Sequence, residues 1–118
     1  MLRFLSPRRA VAALVGLLWV ARALAADAPL QLDVYNPGND ALFPVSSVIV
    51  SGKHDAILVD AQFGKAQAEQ LVARLKASGK HLTTIYISHG DPDYYFGLDT
   101  LLRAWPDVRV VALSLIHI

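Results

Sequence analysis

From Leu30 onward the spacing of apolar residues changes period several times, and each change predicts an element. "LQLDVYN" alternates apolar and polar positions and runs into "NPGND", a turn by composition. "FPVSSVIVSGKHDAILVDAQF" reads as two strands, roughly Ser46 to Ser51 and Ala56 to Asp60, joined at the polar "GKHD" as a hairpin. Val48, Val50, Ile57 and Val59 are β-branched, which suits a pleated, half-buried surface. The period then lengthens. In "GKAQAEQLVARLKASGK", Ala68, Leu71, Val72 and Leu75 fall at i, i+3, i+4 and i+7, one face of an amphipathic helix. Lys76 sits in its last turn and Gly79 is placed as its C-cap. "HLTTIYIS" returns to a strand pattern with Ile85 and Ile87 on one side. "GLDTLLRAWP" predicts a short helix stopped by Pro106, and "VRVVA" opens a further strand.

Strands alternating with helices after an opening hairpin predict an α/β (α+β) arrangement with helical crossovers. In such sheets functional groups gather at the carboxyl ends of strands, and His89 stands at one. No internal repeat, low-complexity tract or linker interrupts the pattern, so residues 26–112 are read as one partial domain.

Both ends of the chain break the pattern. Arg3, Arg8 and Arg9 precede the apolar run "AVAALVGLLWVA", and Ala23-Leu24-Ala25 follows as a small-x-small site. These are the marks of a secretory signal peptide over residues 1–25, expected to be cleaved after Ala25, with an uncleaved membrane anchor as the alternative. The run falls short of the about 20 apolar residues that a bilayer span takes. The expectation is export to the periplasm or medium, with no stable membrane anchor after cleavage. At the other end, Leu113 to Ile118 is what CTG-TCT-CTT-ATA-CAC-ATC encodes, a string that resembles a sequencing-library adapter read through in frame. Residues 113–118 are therefore expected to be foreign to the protein, and His117 is given no role.

The leader also decides how the charge is read. Four of the 11 Lys/Arg, namely Arg3, Arg8, Arg9 and Arg22, lie in it, which leaves 7 against 10 Asp/Glu and a net of −3. The pI near 8.1 is thus no argument for nucleic acid or a membrane surface. Zero cysteines exclude disulfides and thiolate ligands, so any metal here is held by His, Asp or Glu.

The chemistry concentrates in "ISHGDPDYYFG". His89, Asp91 and Asp93 follow within five residues at the end of a strand, a set suited to a metal ion or to acid/base work. Taken alone, the same residues also fit a polar turn, with Asp93 bracing it or capping the next helix. Tyr94, Tyr95 and Phe96 fit the wall and core beside it. His54 and His81 read as solvated.

With "ILVDAQFG", a helix and a strand before it, "SHGDPDYYFGLDTLL" resembles the front half of the metallo-β-lactamase superfamily, whose motif is H-x-H-x-D-H followed by a glycine and a helix. The resemblance runs from about Leu32 to Ala112. It implies a four-layer αβ/βα sandwich with a one- or two-metal site, here the front half only. It also implies hydrolysis by a metal-bound hydroxide. On the motif, His89 matches the first histidine, Asp93 the aspartate and Gly97 the glycine. Asp91 and Tyr94 stand where two histidines are expected. Asp60 matches an aspartate that braces the site loop.

Asp91 keeps a ligand but a harder one, whereas a phenol at position 94 seldom ligates zinc. A single-metal site is easier to support than a two-zinc site. The resemblance thus implies His89 and Asp91 as ligands of a divalent metal, zinc first, with iron or manganese as alternatives. Asp93 would ligate a second ion or relay a proton. The family's later ligands lie beyond Ala112, so the fragment by itself is not expected to be active.

Two functions follow from the resemblance. The first is an exported metal-dependent hydrolase acting on an ester-, lactone-, thioester- or β-lactam-like bond in a small-molecule substrate. The second is a catalytically inactive binding or scaffold domain of the same fold without stoichiometric metal, which the residues at 91 and 94 motivate. A haloacid-dehalogenase-type loop at "DPD" is set aside, because Tyr95 replaces its expected threonine and the preceding hairpin does not fit.

Overall fold

A computed structural model describes residues 28–112. The leader and residues 113–118, including His117, lie outside the described residues. Five strands form one mixed sheet in chain order: β1 (Gln31–Tyr35), β2 (Ser47–Ser51), β3 (Asp55–Val59), β4 (His81–Ile87) and β5 (Arg109–Ala112). β1, β2 and β3 pair antiparallel; β4 and β5 pair parallel to β3 and β4 respectively. The parallel pairings require crossovers, supplied by α1 (Lys65–Ser78) and α2 (Leu98–Ala104). The mixed α/β fold expected from the pattern is the fold observed.

The hairpin turn lies at the predicted "GKHD", closed by the Gly52 N–H donating to the Asp55 carbonyl at 2.9 Å. Helix α1 buries Ala68, Leu71 and Leu75, with Val72 half-buried beside them. It ends at Gly79, whose left-handed backbone (φ 67°) lets its N–H reach the Lys76 carbonyl. Strand β4 departs from plain alternation. Ala56 pairs with Leu82 but Ile57 pairs with Thr84, so Thr83 is an extra residue in a bulge. The bulge lets Leu82 join Ile85 and Ile87 in the core despite a spacing of three.

One face of the sheet carries Ile49, Ala56, Leu58, Ile85 and Ile87 against Leu71, Leu75, Leu98 and Leu101 of the two helices. This is the hydrophobic core, and its burial is the main stabilising term. An exposed ion pair, Arg74 to Asp33 at 2.7 Å, links α1 to β1, with the guanidinium 5.0 Å from the Tyr35 ring centroid. Its exposure limits it to roughly 1 kcal/mol or less.

The opposite face is also apolar. Leu32 pairs with Val50, Val50 with Ile57, Val34 with Val48, and Val48 with Val59. Yet Leu32 is 68% exposed and Val34 58%. Both helices sit on the other side, so no helix among the described residues covers this face. A sheet apolar on both faces belongs inside a layered fold, in agreement with a partial αβ/βα sandwich. No helix among the described residues is long and apolar enough to cross a membrane.

Candidate functional site

Two loops meet at the carboxyl ends of β3 and β4, and backbone hydrogen bonds lock them together. The first, after β3, carries Asp60, Ala61 and Gln62, all buried. Asp60 and Gln62 adopt left-handed backbones, φ 65° and 66°, an uncommon conformation for residues with a Cβ. The surroundings hold it there. The Asp60 N–H donates to the Tyr86 carbonyl at 2.8 Å, and the Ala61 N–H donates to the Tyr94 carbonyl at 2.7 Å. The buried Gln62 amide nitrogen donates to the Val45 carbonyl at 2.7 Å and to Ser47 Oγ at 2.9 Å.

The second loop, Ser88 to Gly97, contains the candidate residues. Gly97 clips it to the first, its N–H donating to the Gln62 carbonyl at 2.7 Å. A Cβ there would lie 2.2 Å from the Ala61 carbonyl oxygen, 2.9 Å from the Ala68 Cβ and 2.9 Å from the Gln62 carbonyl oxygen. Only glycine permits this approach. Between the clips, Pro92–Tyr94 forms a 3-10 turn that the sequence pattern did not reveal.

Asp60 is the brace under the histidine. Its Oδ1 accepts the Ser88 N–H at 2.8 Å and its Oδ2 accepts the Ser88 hydroxyl at 2.6 Å. Ser88 Oγ in turn lies 2.6 Å from His89 Nδ1. On its other side the His89 ring stacks on Tyr94, centroids 4.3 Å apart and planes 24° from parallel. His89 is exposed, and among the described residues no hydrogen bond engages its Nε2.

Asp91 is exposed and extended, just ahead of the 3-10 turn, and its carbonyl accepts the Tyr94 N–H at 3.1 Å. Asp93 lies within that turn, half-buried. The turn reading of Asp93 as a helix cap is not what forms, since no side chain caps α2. The loop thus gathers His89, Asp91 and Asp93 in one short segment. Among the described residues, however, no three His, Asp or Glu side chains converge on one point.

The donor chemistry fits a divalent ion in part. An imidazole nitrogen with its partner nitrogen already engaged and an exposed carboxylate two residues on are ligands such an ion accepts. A structural or catalytic ion needs about three to four protein ligands, and His89 and Asp91 by themselves do not make up such a shell.

Tyr94 and Tyr95 pack against the core as expected, but Phe96 does not. It is exposed and stacks on Phe63, centroids 5.2 Å apart, while Phe63 meets Phe43 edge-on at 4.9 Å. Three separate loops bring these rings together, so no local pattern could have announced the cluster. His54 is exposed as expected; His81 is exposed too, with Nδ1 3.2 Å from Asp55 Oδ1.

Comparison with known proteins agrees with this architecture. The metallo-beta-lactamase superfamily model matches residues 40–117. An atrochrysone carboxyl ACP thioesterase from Aspergillus fumigatus is 32% identical over 75 residues, which cover 63% of this chain and 24% of the thioesterase. A metallo-beta-lactamase from Pontibacter korlensis superposes with a TM-score of 0.58 at 22% identity, covering 77% of this chain and 44% of the enzyme. The FIM-1 metallo-beta-lactamase of Pseudomonas aeruginosa, in its mono-zinc form, gives 0.53 at 21% identity, covering 72% and 37%. The chain therefore spans a quarter to under half the length of these relatives.

Proposed function

The chain belongs to the metallo-β-lactamase superfamily, and on that premise we propose that it is the front part of an exported, metal-dependent hydrolase. The observation that carries the proposal is the His89 ring. It stands at the carboxyl end of β4 with Nδ1 held by Ser88, one face covered by Tyr94, and Nε2 without a hydrogen bond among the described residues. A divalent ion, zinc first and iron or manganese as alternatives, would supply Lewis acidity and lower the pKa of a bound water. His89 would hold it through Nε2, with Asp91 presenting a carboxylate beside it.

Asp93, half-buried in the 3-10 turn, would ligate a second ion or accept a proton from an attacking nucleophile. Tyr94 fixes the histidine ring rather than replacing a ligand. Relatives named as a thioesterase and as β-lactamases support a small-molecule substrate with an ester-, lactone-, thioester- or β-lactam-like bond. The basic and apolar leader supports a periplasmic or secreted destination.

A second reading is a binding or scaffold domain without stoichiometric metal. Asp91 and Tyr94, where the family motif has histidines, favour it. Assaying the full-length protein on an ester, a thioester, a lactone and a chromogenic cephalosporin separates the two. The hydrolase reading expects at least one to be cleaved, with activity lost on chelation and restored by zinc. No cleavage in the presence of zinc, iron or manganese would leave the scaffold reading, whereas cleavage insensitive to chelation would contradict both readings.

A further inference from the structure

We infer that Asp60, acting through the Ser88 hydroxyl, sets the tautomer of His89 so that Nε2 carries the lone pair before any ion arrives. An ionised carboxylate offers only acceptors, and a serine hydroxyl has a single hydrogen. Ser88 Oγ lies 2.6 Å from Asp60 Oδ2, so its hydrogen is committed to that carboxylate. The same oxygen lies 2.6 Å from His89 Nδ1 and can only accept there. Nδ1 must therefore hold the ring proton. In a neutral imidazole that leaves Nε2 unprotonated.

The direction of the chain is fixed at its buried end. Asp60 is 5% exposed, and its other oxygen is engaged by the Ser88 N–H at 2.8 Å. This pins the serine backbone and hydroxyl together, and the Tyr94 ring restricts rotation of the imidazole. Ser88 and Asp60 are positioning residues, and what they position is a nitrogen lone pair. The use of that lone pair for metal rests on the function proposed above. The tautomer itself does not.

The arrangement gives a sharp test, because Asp60→Asn is isosteric yet reverses the relay. The introduced amide nitrogen would donate to Ser88 Oγ, the hydroxyl hydrogen would turn to His89 Nδ1, and the ring proton would move to Nε2. Nitrogen-15 NMR of the full chain labelled at histidine, at a pH of about 8 where imidazole is neutral, reads this directly. The wild type is expected to show a protonated Nδ1 and a bare Nε2 at His89. Asp60→Asn should invert the two, Ser88→Ala should relax them to a mixture, and Ser88→Thr should keep the wild-type pattern.

A protonated Nε2 in the wild type overturns the inference without any variant, as does an Asp60→Asn ring that keeps its proton on Nδ1. A structural brace alone would move none of these signals. Zinc affinity, read by competition with a chromophoric chelator, is expected to fall about 10- to 100-fold in Asp60→Asn and Ser88→Ala and to be restored in Ser88→Thr. If the tautomers behave as stated but no variant and no wild type takes up zinc, the relay stands and the metal reading fails.

Discussion

Gly97→Ala is expected to destabilise the protein by about 3 kcal/mol, the upper end of what overpacking costs. The added methyl would meet the Ala61 carbonyl oxygen at 2.2 Å and the Ala68 Cβ and Gln62 carbonyl oxygen at 2.9 Å. Two of those atoms are backbone, held by the left-handed turn at Asp60 and Gln62, and the third is on the buried face of α1. None is the free end of a flexible side chain, so relief requires the two loops to separate. Separation breaks the 2.7 Å bond from the Gly97 N–H to the Gln62 carbonyl. Urea unfolding checks this, with Gly52→Ala as the control, since a Cβ there meets nothing nearer than a Leu30 methyl at 3.8 Å. Equal midpoints for the two variants would contradict the account of the clip.

Asp60→Ala is expected to cost about 3 to 5 kcal/mol. Two hydrogen bonds to a charged acceptor are lost, each worth roughly 1.5–3 kcal/mol. Alanine must also occupy φ 65°, which adds about 1–2 kcal/mol that an asparagine would largely avoid. The contributions overlap, because Ser88 regains some hydration once the carboxylate is gone. Asp60→Asn should therefore lie well above Asp60→Ala in stability while still disturbing His89. If both variants unfold at the wild-type midpoint, Asp60 is not the brace described.

Much of the scaffold was legible because its causes are local. The spacing of Ala68, Leu71 and Leu75 marks the buried face of α1, and the Gly79 cap follows from the conformational freedom of glycine. The position of His89 followed from a strand pattern ending at a polar residue. What escaped depends on partners distant in sequence. Gln62 looks like an ordinary loop glutamine, yet it is fully buried on Val45 and Ser47.

Asp60 was legible as a brace only through the family resemblance, and its contact to Ser88, 28 residues away, had no signal. A serine before a histidine carries no pattern of its own. The bulge at Thr83 was equally hidden, because periodicity alone cannot say where a strand accommodates an extra residue. The apolar face of β1 was visible in its alternation, but the exposure of Leu32 and Val34 was not.

The two substitutions in the motif bear on the site in different ways. Asp91 keeps an exposed carboxylate within the loop, available to an ion. Tyr94 is stacked on His89 and hydrogen-bonded through its backbone to Asp91 and Ala61. It serves the shape of the loop. If the proposed metal site forms, this pair favours a mononuclear centre over a two-zinc one.

The central claim is that His89 is the first ligand of a divalent metal. The most direct measurement is the zinc bound per chain after equilibrium dialysis of the full-length protein, wild type beside His89→Ala. About one ion per wild-type chain is expected and none retained by the variant, while the metal-free proteins should unfold with free energies within about 0.5 kcal/mol of each other because the side chain is exposed. A wild type that retains no zinc, iron or manganese, or a variant that retains as much as the wild type, would contradict it.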